Sequence, residues 1–172
     1  MSLRHKALIL LASISILTLS YWYPLQLKNS SVPVASDFLL SDLDGSTLCL
    51  SDFRGKIVLI DFMATRCNQC KKQMPNLAAV WEVYEDKIIL ISIDVDPRES
   101  ENILRNFTQR FPYARWFWAK DTANLIVKYD VTAIPKMVII DQKGYIRYSH
   151  IGVTTASELI EEIKQLSKPE ED

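Results

Sequence analysis

The chain has 172 residues, of which 48% are hydrophobic and 24% charged, and its 20 basic and 21 acidic side chains leave a formal net charge of −1. That suits one globular domain with a real core plus a short extension. No stretch concentrates Lys and Arg among aromatics, which excludes a nucleic-acid surface.

Residues 1–6 carry Arg4, His5 and Lys6. Residues 7–23, ALILLASISILTLSYWY, carry no charge, and Pro24 closes the run. As a helix this run would rise about 26 Å, at the short end of what spans a bilayer. Tyr21, Trp22 and Tyr23 suit the far interface, while Arg4 and Lys6 stay on the cytoplasmic side. The pattern predicts a cytoplasmic basic N-terminus and a single transmembrane anchor over 7–23 that holds an extracytoplasmic domain at the membrane. A cleaved signal peptide has the same charge order and would leave a secreted or periplasmic domain, but its small-x-small site, Val34-Ala35-Ser36, would lie well past the apolar run. Residues 24–36, PLQLKNSSVPVAS, read as a tether. The domain is placed at 37–167, with an acidic tail at 168–172.

Within the domain, two short apolar runs flank Asp44-Gly45, a dipeptide that favours a hairpin turn. KIVLIDFMA at 56–64 is almost wholly apolar, as in a strand buried on both faces. From Asn68 to Tyr84 the apolar positions Met74, Leu77, Ala78, Val80, Trp81 and Tyr84 recur at helical spacing. KIILISIDV at 87–95 is a second buried strand. Ile103, Leu104 and Phe107 predict a helix, ARWFWAKD a short strand and TANLIVKYDV a short helix. KMVIIDQKGYIRYSHIG reads as two strands around a Gln-Lys-Gly turn. A last helix starts at the capping-box pattern Thr155 to Glu158. Strands separated by helices predict an α/β sheet, mostly parallel, with antiparallel hairpins at each end.

The chemistry-bearing segment is IDFMATRCNQCKK at 60–72, where Cys67 and Cys70 stand three apart at a strand-to-helix junction. A cysteine at a helix start meets free N–H groups and a partial positive charge, which favour thiolate over thiol. Cys67 is then the nucleophile, and Cys70, one turn inward, is placed to attack a mixed disulfide on it. Arg66, Lys71 and Lys72 add positive charge. Two other uses of the pair compete. Zinc would need two further ligands, and Cys49, His150 and His5 offer no second pair. A structural disulfide closing so short a loop would constrain the unfolded chain little.

VLIDFMATRCNQCKKQMP, followed later by VTAIP, resembles the thioredoxin fold. The preceding hairpin with LSDFRGK makes residues 37–167 similar to the TlpA/ResA-type membrane-anchored thiol-disulfide oxidoreductases. The resemblance implies a thioredoxin-like fold with an N-terminal β-hairpin and an αβ insertion, preceded by one transmembrane helix. It also implies that Cys67 attacks, that Cys70 resolves, and that Pro135 is a cis-proline facing them. The backbone of Ile134 would then pair with an extended substrate. Asp61, six residues before Cys67, matches a buried carboxylate that assists deprotonation of the second cysteine, and a carboxylate at the end of a buried strand should have a raised pKa. Its alternative role is to accept backbone hydrogen bonds. No cofactor or metal is called for.

Three departures from the family pattern stand out. Arg66 replaces the usual Trp, putting a flexible cation where a stacking surface would sit beside the substrate. Gln73 occupies a position often acidic, which makes Asp61 the better base. Asn68-Gln69 replaces Gly-Pro between the cysteines. Cys49 reads as a buried free thiol or a site for a mixed disulfide, and His150 as an edge residue. Trp81, Trp116, Phe117 and Trp118 read as packing residues, one of the tryptophans being free to line the site.

The reading is a monomeric protein disulfide reductase that is supplied by a membrane or thiol electron donor, with protein disulfides as substrates. The family suggests cytochrome c maturation as a client pathway. The alternatives are an oxidase or isomerase, a thiol peroxidase and a Cu(I) chaperone. A peroxidase usually has Thr three residues before its cysteine, where this chain has Ala64. A chaperone would use two thiolates and a His, but usually spaces its cysteines by three residues and puts the His before the strand pair.

Overall fold

The computed structural model describes residues 32–85 and 87–168. The chain enters the domain ahead of Asp37: the Ala35 N–H donates to the Gly144 carbonyl at 2.9 Å, and Ile146 N–H to the Pro33 carbonyl at 2.8 Å. Residues 33–36, the end of the tether in the linear reading, are therefore pinned to the domain. The anchor read over 7–23 lies outside the described residues, as does the tail from 169. Among the described residues, no helix is long and apolar enough to cross a membrane.

Strands β1 (Leu39–Ser41) and β2 (Thr47–Cys49) form the expected antiparallel hairpin, with Gly45 at φ 89° in its turn. An L side chain is disfavoured at that φ. A 3-10 turn at Leu50–Phe53 leads into β3 (Ile57–Met63), whose seven residues are all buried. Next come α1 (Asn68–Tyr84), β4 (Ile88–Asp94), α2 (Glu101–Thr108), β5 (Phe117–Lys120), the short α3 (Leu125–Lys128), β6 (Lys136–Ile140), β7 (Ile146–Ile151) and α4 (Ala156–Leu166).

The main sheet has the order β5-β4-β3-β6-β7. β3, β4 and β5 run parallel, while β6 is antiparallel to both β3 and β7. The sheet is thus evenly mixed rather than mostly parallel, and the N-terminal hairpin is a sheet of its own. The reversal at β6 has a simple cause. β6 starts with Lys136 opposite Phe62, and β5 ends with Lys120 opposite Asp94, which itself pairs with Met63. The connection holding α3 stays at that one end of the sheet, so the next strand must run back.

Alternation along β3 divides the core. Ile57, Leu59 and Met63 join Cys70, Met74, Leu77 and Val80 of α1, with Leu159 and Ile163 of α4. Val58, Ile60 and Phe62 join Leu40, Leu48, Leu125 and Tyr129 on the other face. Side chains of a strand point alternately to opposite faces, so Asp61 lies on the α1 face. The expected cap is present at α4, where Thr155 Oγ1 accepts from Glu158 N–H at 3.3 Å, and α2 has one as well, Ser100 Oγ accepting from Ile103 N–H at 3.4 Å. Such caps are worth about 1 kcal/mol each.

Candidate active site

α1 has no Ser, Thr, Asp or Asn at its N-cap. Cys67 takes that place with extended backbone (φ −72°, ψ 114°), and its Sγ accepts from the Cys70 N–H at 3.0 Å. Extended backbone there aims the sulfur at the orphan donors of the first turn, where negative charge on sulfur is stabilised. Cys67 and Cys70 are joined in a disulfide with their Cα atoms 5.2 Å apart. Cys67 is half-buried, whereas Cys70 is 0% exposed. One sulfur is reachable and the other is shielded.

The Ile134–Pro135 bond is cis. The Cys67 Sγ lies 3.8 Å from the Ile134 carbonyl oxygen, and the Pro135 carbonyl accepts from Gly152 N–H at 2.8 Å. Buried Lys136 donates from Nζ to the Tyr129 and Asp130 carbonyls, both at 2.7 Å, fixing the chain on either side of this loop. Residues 67 and 134, far apart in sequence, thus meet at one end of the sheet.

Asp61 sits within β3, two residues before its end, and is 0% exposed. Its Oδ2 accepts from the Ser92 hydroxyl at 3.0 Å, and its Oδ1 is buried without a partner. Burial pushes its carboxyl up to about 7, with the Ser92 hydroxyl pulling the other way. Among the described residues, it accepts no backbone hydrogen bond.

Arg66 is held rather than flexible. Its Nε donates to Glu99 Oε1 at 3.1 Å and its other arm pairs with Asp96, although the side chain remains 59% exposed. Glu99, with only 2% of its side chain exposed, also accepts from Thr65 N–H at 2.9 Å. Burial alone would push Glu99 up, yet the Thr65 and Arg66 donors hold its carboxyl below the usual range. Two arginines, Arg98 and Arg66, likewise hold the Asp96 carboxyl below the usual range. The β4–α2 loop thereby clamps the segment that carries Cys67, a role with no signal in the linear sequence because the partners lie 34 positions apart.

Gln73 is fully buried and exchanges two hydrogen bonds with the Thr154 backbone. Cys49 is free and half-buried rather than buried, its Sγ 3.0 Å from Ser51 Oγ. His150 pairs through Nε2 with Glu162 at 2.9 Å. His150, Glu158 and Glu162 bring ligand atoms within 4.8 Å of one another, and that set contains no cysteine. Trp116 and Trp118 stack at 5.8 Å inside the core, being 5% and 4% exposed.

Comparison with known proteins agrees with this geometry. A family model described as thioredoxin-like matches residues 55–146. The chain belongs to the thioredoxin-like family. It is 32% identical over 126 residues to the thioredoxin-like protein YneN of Bacillus subtilis, covering 73% of this chain and 74% of that one. It is 29% identical over 136 residues to the thiol-disulfide oxidoreductase ResA of Halalkalibacterium halodurans, covering 79% and 76%. The exposed lipoprotein thioredoxin of Streptococcus pneumoniae superposes with a TM-score of 0.69 at 25% identity, over 76% of this chain and all of that one. Within this thioredoxin-like chain, the matched segment runs from the start of β3 to β7 and contains Asp61, Cys67, Cys70 and Pro135.

Proposed function

We propose that this thiol-disulfide oxidoreductase reduces disulfides of extracytoplasmic proteins through a mixed disulfide on Cys67 that Cys70 resolves. The observation that carries the reading is the asymmetry of the pair: a half-buried Cys67 capping α1 and a fully buried Cys70 one turn inward. In the reduced enzyme, the Cys67 thiolate attacks one sulfur of the client disulfide. A Cys67–client bond forms, the client bond breaks, and the other client sulfur leaves as a thiolate that takes a proton from solvent. Cys70 then loses its proton to the Asp61 carboxylate and attacks the Cys67 sulfur. The second client thiol is released and the Cys67–Cys70 disulfide remains. Two electrons pass to the client, and an external dithiol or membrane donor must restore them.

Asp61 suits the base role because a buried carboxylate titrating near neutrality can take a thiol proton. Client binding falls to the cis-proline loop. Among the described residues the Ile134 N–H makes no hydrogen bond, and its carbonyl faces the Cys67 sulfur. An extended client segment can pair there as an added strand. Arg66, anchored by two carboxylates but still exposed and next to Cys67 in the chain, offers a cation to the client. The apolar run 7–23 would tether the domain to the outer face of the membrane.

Cys70→Ser provides the test. The variant accumulates a covalent complex with its client that dithiothreitol releases, while Cys67→Ser forms none and loses insulin reduction. Failure of Cys70→Ser to trap any protein, with Cys67 alkylated no faster than a free cysteine, would remove the assignment. Direction is read from the potential of the pair: a value near that of strong oxidants makes the protein an oxidase instead.

A further inference from the structure

Three buried side chains outside the Cys67–Cys70 pair form a line of hydrogen bonds. Trp116 Nε1 lies 3.0 Å from Ser92 Oγ, and Ser92 Oγ lies 3.0 Å from Asp61 Oδ2. Ser92 reaches Asp61 because the two are register partners across the parallel β3–β4 pair. Trp116, just ahead of β5, arrives from the next strand over.

The direction of this line is set by chemistry. An indole N–H can only donate, so Trp116 donates to the serine oxygen. The serine hydroxyl then has one hydrogen to place where both Ser92 and Asp61 are 0% exposed, and Oδ2 of Asp61 takes it. If Asp61 carried its proton on Oδ2 and donated back to Ser92, the serine hydrogen would be left unpaired in the core, at a cost of about 1–3 kcal/mol. Among the described residues, Oδ1 has no hydrogen-bond partner.

We infer that Ser92 and Trp116 are positioning residues for Asp61: the donor line reserves Oδ2 as an acceptor and leaves Oδ1 as the oxygen that gains and loses the proton. The inference rests on the reading of Asp61 as the base for Cys70. The Asp61 side chain lies on the α1 face of the sheet, where Cys70 is buried in one core cluster with Leu59 and Met63 of β3. Of groups that titrate, α1 presents Cys70, and β4 presents Asp94, which is paired with Lys120 at 2.9 Å. β6 places Met137 at this register. Opening the disulfide leaves Cys70 a thiol on that face of the sheet, while the donor line keeps the carboxylate from turning away. The same two donors stabilise the ionised form, so they also keep the group able to lose its proton near neutrality.

The experiment follows the Asp61 carboxyl carbon by NMR against pH in the reduced protein, beside the pH profile of the Cys70-dependent resolving step. Ser92→Ala is expected to move both inflections up by about one pH unit, the effect of losing a hydrogen bond to a buried carboxylate. Trp116→Phe, which keeps an aromatic ring but removes the N–H, moves them in the same direction by less. Ser92→Thr, which keeps the hydroxyl, restores the wild-type inflection. Unmoved inflections in Ser92→Ala, with Asp61→Asn still abolishing the inflection of the resolving step, overturn the donor line alone. A resolving step whose pH profile is unchanged in Asp61→Asn overturns the base reading beneath it. Ser92→Ala makes a small change in volume, so the test does not depend on whether Trp116→Phe folds.

Discussion

Gln73 and Thr154 exchange two hydrogen bonds across 81 positions of sequence: Gln73 Nε2 donates to the Thr154 carbonyl at 3.0 Å, and Thr154 N–H donates to Gln73 Oε1 at 2.8 Å. An amide supplies one donor and one acceptor, which is what a backbone N–H and C=O pair requires. The contact ties the first turns of α1 to the loop before α4, one helical turn from Cys70.

Gln73→Glu should therefore be destabilising at pH 8, by about 2 kcal/mol, because a carboxylate cannot donate to the Thr154 carbonyl. A protonated Glu can. Its folded pKa would be raised by burial, so stability is present at low pH and lost as pH rises through that folded value. Thermal unfolding at pH 5 and pH 8 checks this. Equal losses at both would show that the donor hydrogen is not what matters.

Asp61 makes the same kind of contribution in the wild-type chain. Its pKa is raised from 3.8 to about 7, so the folded state holds a proton that the unfolded state has released. Stability is full below about pH 4 and falls as pH rises toward 7, by an amount on the order of 4 kcal/mol. Asp61→Asn should then unfold at higher denaturant than wild type at pH 8, and at nearly the same concentration at pH 4. Urea titrations of the oxidised proteins at the two pH values give the comparison.

Glu99→Ala should loosen the Cys67 segment from outside it. The variant leaves the Thr65 N–H without its acceptor, a loss of about 2 kcal/mol, and frees Arg66 from one of its two carboxylates. Hydrogen exchange at Thr65 and Arg66 amides is expected to rise at least tenfold while the amides of β3 remain protected. Protection at Thr65 equal to wild type would mean that the loop is held by its other contacts.

Cys49 should prove dispensable. It is half-buried at the end of β2, and the sulfur contact to Ser51 is one that serine can replace. Cys49→Ser is expected to change stability by less than about 0.5 kcal/mol and to leave insulin reduction intact. Thiol titration of the unfolded, oxidised protein should fall from one free thiol to none.

The local features of this protein were legible residue by residue. The apolar run of β3, the helical spacing from Asn68 to Tyr84, the turn glycine at 45 and the Thr155 cap all rest on periodicity or steric rules that act over a few positions. The placement of Cys67 at a helix start follows from the same local rules, and it makes the cysteine pair recognisable without coordinates. What the fold alone decided depends on register and closure. The β5-to-β6 connection keeps to one end of the sheet, and that reverses β6 and brings Ile134 to Cys67. The β3–β4 register sets Ser92 opposite Asp61, and the β4–α2 loop turns Arg66 from a free cation into a bound one. None of these pairs shares a local pattern. Each is fixed only when strands some thirty or more residues apart settle side by side, because hydrogen-bond register, unlike hydrophobic spacing, is a property of two segments at once.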